Sequence, residues 1–157
     1  MTRRVIYLAG MIGGLSYEEA SVNRKQATNL LLERGWDVLD PMRGYEILST
    51  LAVIEEGDKV KSLLGGVTDT AILQRDRDDI RRADLILIES GNKASWGTAF
   101  EFEFAYSLGK PIVVICDKDS PTRNHPWCRT MSSYFAETVD EAVEFIDRWY
   151  DRGYQLQ

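Results

Sequence analysis

From its N-terminus the chain alternates short apolar runs with longer segments in which apolar residues recur every three to four positions. Residues 5–8 (VIYL) read as a buried strand that ends in the glycine-containing loop 9–16. Residues 17–34 then carry Ala20, Ala27, Leu30 and Leu31 at helical spacing, up to the stop signal Gly35. Residues 36–39 form a second strand that runs into DPMRG, a loop holding a proline and a glycine. The stretch 45–70, interrupted by Gly57, Gly65 and Gly66, reads as an irregular, mobile insertion. Residues 69–82 return to helix, and DLILIE (84–89) is a continuous apolar run suited to a central parallel strand buried on both faces. A helix over 98–108, a fourth strand PIVVIC (111–116), a polar loop over 120–130, a weak fifth strand over 133–136 and an amphipathic helix over 139–150 complete the pattern.

Strand alternating with helix predicts an α/β fold: a doubly wound parallel sheet of five strands in the flavodoxin-like, Rossmann-like order. The 157 residues, 44% of them hydrophobic, suffice for one core, so residues 1–157 are expected to form one domain. No internal repeat or low-complexity segment interrupts it.

Charge removes several classes of function. The formal net charge is −6, and no basic run exceeds the pairs Arg3-Arg4 and Arg81-Arg82. Such a surface has no electrostatic footprint for a phosphate backbone, which argues against nucleic-acid polymers and anionic membranes as partners. Cys116, Cys128 and the single histidine, His125, make neither a disulfide framework nor a recognisable metal site, and a cytoplasmic, reduced protein is expected. The start TRRVIYLAGMIGG has the basic-then-apolar order of a signal peptide, but its apolar core is short, and strand plus glycine loop is the better reading.

In doubly wound sheets ligands bind beyond the carboxyl ends of the strands, where strand order reverses. That rule selects the loops 9–16, 40–44 and 89–97 and the segment from 116 onward. The third of these leads into GTAFEFEFAYSLGK, where Glu101 and Glu103 stand among phenylalanines. A buried carboxylate is costly unless paired or hydrogen-bonded, so one retained there has a use. Glu101 is expected in the first turn of its helix, facing the pocket and kept ionised by the helix dipole. Glu103, two residues on, points elsewhere and reads as a solvated or interface charge. Tyr7, at the end of the first strand, reaches the same cavity, and Asp76 can face it from the helix before the third strand.

The segments IYLAG, RDRDDIRRADLILIE, GTAFEFEFAYSLGKPIVVI and TVDEAVEFI, taken in order and spacing, resemble the nucleoside 2-deoxyribosyltransferase family and its relatives, the 2'-deoxynucleoside 5'-monophosphate N-hydrolases. The resemblance implies that Glu101 is a nucleophile, that Tyr7 orients it, and that Asp76 protonates or contacts the departing base. Glu103 departs from the family pattern, which often has a small residue there. The implied chemistry is cleavage of the bond between sugar and base. A carboxylate traps the oxocarbenium-like carbon and an acid neutralises the leaving base; a second base then attacks to complete transfer, or water attacks to complete hydrolysis. No metal or organic cofactor is required.

In the implied site, backbone amides of Gly10, Gly13 and Gly14 approach the sugar or its 5' substituent, Ile12 and Trp96 pack against base or sugar, and Gly97 belongs to the substrate-binding set. Ser95 stands where many transferases of the family have an aspartate that contacts the 5'-hydroxyl and where the monophosphate hydrolases have a serine that contacts phosphate. A phosphate would rest on Ser95, Lys93 and the Gly13-Gly14 amides, a thinly charged set that tips the reading towards unphosphorylated deoxynucleosides and free nucleobases as substrates. The resemblance also implies a homodimer or higher homo-oligomer with shared active sites, with residues 122–133 (TRNHPWCRTMSS) as the segment that completes a neighbour's site. A non-catalytic nucleotide-binding module on the same fold is the rival from another class. GMIGG is not a dinucleotide fingerprint, although Asp40 ends the second strand as such sites prefer. Retention of Tyr7, Asp76 and Glu101 counts against that rival.

Overall fold

The computed structural model describes residues 3–55, 57–91 and 95–151. Five strands, β1 (Val5–Gly10), β2 (Asp37–Leu39), β3 (Leu85–Glu89), β4 (Ile112–Ile115) and β5 (Tyr134–Ala136), form one sheet in the order β2-β1-β3-β4-β5. Every pairing is parallel, as the continuous apolar runs predict. Strand order reverses at β1, and the register pairs Gly10 with Glu89 at the carboxyl ends of β1 and β3. A crevice at that end is where such folds take ligands.

Alternation along β1 divides the core. Ile6 and Leu8 join Leu85, Leu87 and Val113 beneath helices α1 (Tyr17–Glu33) and α7 (Val139–Asp151). Tyr7 and Ala9 face the other way, with Ile86, Ile88 and Val114, under α3 (Asp69–Arg82) and α4 (Trp96–Ser107). The two-residue period of a strand therefore puts a tyrosine hydroxyl, and not an aliphatic group, under α4.

The insertion is more ordered than its glycines suggest. It contains a 3-10 turn (Glu46–Thr50) and the short helix α2 (Asp58–Leu63). Met42, Leu48 and Ile54 pack with Ala20 in a small core of their own. Reciprocal backbone bonds dock it on the first loop: the Gly14 N–H donates to the Ile54 carbonyl (2.8 Å) and the Ile54 N–H to the Leu15 carbonyl (2.7 Å). The expected polar loop 120–130 folds as two short helices, α5 (Pro121–Asn124) and α6 (Pro126–Met131). Each opens on a proline, whose fixed φ suits a first helical position. Among the described residues no helix is long and apolar enough to cross a membrane.

Candidate active site

Tyr7 is fully buried, and its Oη donates a hydrogen bond of 2.7 Å to Glu101 Oε1. Burial, reinforced by the Glu101 and Asp76 charges, pushes the phenol pKa far up, so the hydroxyl keeps its proton and acts as a donor. Thr98, Phe102 and Ala105 form the buried stripe of α4, and Glu101 stands between them on that face. Here the structure corrects the sequence reading. Ser95, whose side chain accepts from the Thr98 N–H, starts the helix at Trp96, so Glu101 lies in the second turn and the first turn holds no acid. The helix dipole fades within one turn, and burial dominates instead. Burial pushes the Glu101 pKa up to about 7; the Tyr7 hydrogen bond and the Arg24 charge pull it back, while Asp76 adds to the rise. Glu101 is thus poised near neutrality rather than held ionised.

Asp76 projects from α3 into the groove that Glu101 lines from α4. The groove has a volume of about 530 Å³, with Ile72, Phe100 and Phe104 among its apolar walls and Gly97 also lining it. Gly97 precedes Glu101 by one turn on the same helix face. A Cβ there would meet nothing nearer than Ser95 Oγ at 3.9 Å, so glycine leaves open the approach to the carboxylate rather than relieving a clash. Burial raises the Asp76 pKa, and Arg75 opposes it through charge and hydrogen bonding. Arg75 is itself fixed: its Nη2 donates to the Pro41 carbonyl (2.6 Å), to Tyr45 Oη (3.1 Å) and to Asp76 Oδ1 (3.3 Å). Next on α3, the buried Asp79 takes Arg82 and Arg43, each at 2.5 Å, and so ties the DPMRG loop to the helix that carries Asp76.

The other sequence-expected residues divide. Gly10 has φ +151°, and a Cβ would stand 2.6 Å from the Glu89 carbonyl oxygen and 3.2 Å from Arg24 Nη2. Close approach of two strands and an arginine requires this glycine, which is a different reason from the open amide expected. Gly14 (φ +82°) spends its N–H on Ile54, so that amide is not free for a substrate. Ile12 is half-buried and packs against the small core beneath the insertion. Gly13 is half-buried in the turn beside them. Trp96 is 82% exposed and touches Phe100 with ring centroids 6.2 Å apart, so it belongs neither to the core nor to the groove wall. Ser95 borders a separate hollow of about 220 Å³ shared with Ser90, Thr122 and His125. Lys93 lies outside the described residues. Glu103 is exposed at the rim of the groove.

Sequence reasoning missed Arg24. It is 3% exposed, donates from Nη2 to the Gly10 carbonyl (2.8 Å), and approaches Asp40 Oδ1 with Nε at 3.9 Å. The signal was present: positions 20, 24, 27 and 31 form the buried stripe of α1, and the second of them is an arginine.

The sequence signature described as nucleoside 2-deoxyribosyltransferase matches residues 6–147. No curated protein matches the chain. Among solved structures, the fold is similar to the CMP N-glycosidase of Clostridium botulinum (TM-score 0.60, 18% identity, 93% of this chain and 99% of that one). It is similar also to the molybdenum cofactor carrier protein of Chlamydomonas reinhardtii (TM-score 0.62, 15% identity, 96% and 99%). A third is the 2-desoxiribosyltransferase of Leishmania mexicana (TM-score 0.52, 17% identity, 87% and 76%). At these identities the structural likeness concerns the fold. The match over residues 6–147 shows the family: the chain belongs to the nucleoside 2-deoxyribosyltransferase family.

Proposed function

We propose that this member of the nucleoside 2-deoxyribosyltransferase family cleaves the N-glycosidic bond of 2'-deoxynucleosides through a covalent glutamyl-deoxyribose intermediate and passes the sugar to another nucleobase. The observation that carries the reading is the Tyr7–Glu101 hydrogen bond beside a groove that Glu101 and Asp76 both line. Ionised Glu101 attacks the anomeric carbon as the bond to the base nitrogen breaks, and Asp76 supplies a proton or a hydrogen bond to the departing nitrogen. Tyr7 holds one carboxylate oxygen and leaves the other for attack. The incoming base then displaces Glu101 from the side the first base vacated, with net retention. A carboxylate whose proton affinity is raised by burial is a stronger nucleophile once ionised. The apolar walls Phe100 and Phe104 suit a planar base.

A second reading, hydrolysis of 2'-deoxynucleoside 5'-monophosphates, is favoured by the hydroxyl-bearing hollow where Ser95 meets Ser90, Thr122 and His125. The third, a non-catalytic carrier, draws on the similarity to molybdenum cofactor carriers, but fold does not fix function and the Tyr7–Glu101–Asp76 set argues for chemistry. The exposed rings of Phe100 (67%) on the groove wall and Trp127 (68%) on α6 support a homo-oligomer in which a neighbour's α5–α6 segment covers the site. Two free cysteines fit work in the reducing cytoplasm. Incubation with deoxynucleosides and with their 5'-monophosphates, each with and without a free acceptor base, separates these readings. Base exchange on nucleosides is expected. Free base and sugar phosphate formed only from monophosphates would favour the hydrolase, and no turnover at all the carrier.

A further inference from the structure

Arg75 and Asp76 are consecutive on α3, and consecutive helical side chains diverge by about 100°, so the helix itself does not impose a contact between them. Arg75 is nonetheless turned onto its neighbour, with Nε and Nη2 each 3.3 Å from Asp76 Oδ1. What holds it there lies outside the helix. Nη2 donates to the Pro41 carbonyl at 2.6 Å and to Tyr45 Oη at 3.1 Å, and the guanidinium carbon stands over the Tyr45 ring, 4.9 Å from its centre. Tyr45 in turn packs against the small core that Met42, Leu48 and Ile54 share with Ala20. One helical turn further on, Arg43 of the same loop already reaches the buried Asp79. Attachment of the loop to α3 therefore does not by itself call for an arginine at position 75. Its further contact is the carboxyl of Asp76.

We propose that Arg75 is a positioning residue that pins Oδ1 of Asp76, so that the proton delivered to the departing base is carried on Oδ2. Through Tyr45 it makes the insertion part of that acid's support. This rests on the reading of Asp76 as the group that serves the leaving base. A guanidinium donates and does not accept, so an oxygen that takes two of its N–H groups is a poor place for a proton. The proton therefore rides on the other oxygen of a carboxyl that lines the groove. As the bond between sugar and base breaks, the base nitrogen keeps the electron pair and takes that proton, and Asp76 is left as a carboxylate paired with Arg75. The clamp also sets how readily the proton leaves: burial raises the proton affinity of Asp76, and the charge and hydrogen bonds of Arg75 lower it. The other charged groups around Asp76 are acidic or engaged elsewhere. On α3, Asp69 is held by Lys61, Asp79 takes Arg82 and Arg43, and Arg77 lies over the Phe104 ring at 4.3 Å. On α4, Glu101 lines the same groove with Glu103 at the rim, and Tyr7 on β1 donates to Glu101.

The test is a carbon-13 NMR titration of the Asp76 carboxyl in the full chain, assigned by the signal lost in Asp76→Asn and repeated in Glu101→Gln to recognise the neighbouring acid's own titration. It uses no substrate, so failure of the glycosyl-transfer reading shows in turnover assays and leaves this result standing. Arg75→Gln should raise the midpoint by about one pH unit. Arg75→Lys, which keeps the charge and loses the fork, should fall between that variant and wild type. Tyr45→Leu keeps an apolar group on the small core and takes ring and hydroxyl away from Arg75. It should raise the midpoint by a smaller amount, and add nothing in the Arg75→Gln background. An arginine that merely ties the loop to α3 would, when lost, admit water and lower the midpoint towards that of an ordinary carboxyl. Should Arg75→Gln not fold, Tyr45→Leu in the otherwise native chain carries the test. An unmoved or lowered midpoint in either folded variant, or equal shifts from Tyr45→Leu in the native and Arg75→Gln backgrounds, overturns the proposal.

Discussion

Tyr7 and Glu101, 94 positions apart in sequence, meet at 2.7 Å because β1 turns every second side chain towards α4 and α4 presents its buried stripe back to β1. The contact joins a group that keeps its proton to one poised to lose it. That polarity allows the tyrosine to orient the carboxylate without neutralising it.

Glu101 should couple stability to pH. Its pKa is raised from 4.5 to about 7 in the folded protein, so the native state binds the proton more tightly than the unfolded chain. The stability this contributes is fully present below the unfolded value and is lost as pH rises to the folded one. Glu101→Gln mimics the protonated acid and still accepts from Tyr7. It should stabilise the protein at pH 8 by up to about 3 kcal/mol and leave it nearly unchanged at pH 4, while abolishing turnover. Urea unfolding at the two pH values checks this, and equal effects at both would show that burial does not govern Glu101.

Tyr7→Phe removes the orienting hydrogen bond and keeps the ring in the core. Turnover should fall by about 100-fold with little change in thermal stability. Since that bond lowers the Glu101 pKa, the acidic limb of the pH–rate profile should move upward. A limb that stays in place would separate Tyr7 from the ionisation of Glu101.

Asp76→Asn should slow release of poor leaving bases more than good ones, because an amide supplies no proton to the departing nitrogen. Rates across a series of bases of graded acidity provide the measurement. Equal loss across the series would assign Asp76 to binding.

Gly10→Ala should cost at least about 2 kcal/mol, since the new methyl meets the Glu89 carbonyl and the backbone resists φ +151°. Thermal unfolding reads this directly. Gly97→Ala, in open space, should unfold with wild type and differ in substrate affinity.

Several of these features were legible in the sequence, for physical reasons. The apolar runs LILIE and IVVI, bounded by turn residues and alternating with helical segments, read as parallel strands buried on both faces, and they form β3 and β4. Tyr7, Asp76 and Glu101 sit where the alternation of strand and helix brings them to one face of the sheet, although Tyr7 stands in the middle of β1 rather than at its end, because the strand runs on to Gly10. What failed to show depended on distant partners. The amide of Gly14 and the side chain of Ile12 are claimed by Ile54 and its neighbours in the insertion, and no local pattern reveals that docking. The Ser95 cap moved α4 by two residues, enough to take Glu101 out of reach of the helix dipole and leave burial in control. Arg24 was visible as the one charge on an apolar stripe.

The central claim is a covalent bond to Glu101. A 2'-fluorinated deoxynucleoside, whose fluorine slows breakdown of the glycosyl-enzyme, should leave one sugar unit on the peptide that contains Glu101 when the protein is digested and analysed by mass spectrometry. Glu101→Ala should show no adduct and lose turnover by roughly a thousandfold or more, whereas Glu103→Ala should label and turn over nearly as wild type. An adduct on any other residue, or undiminished turnover by Glu101→Ala, would contradict the account.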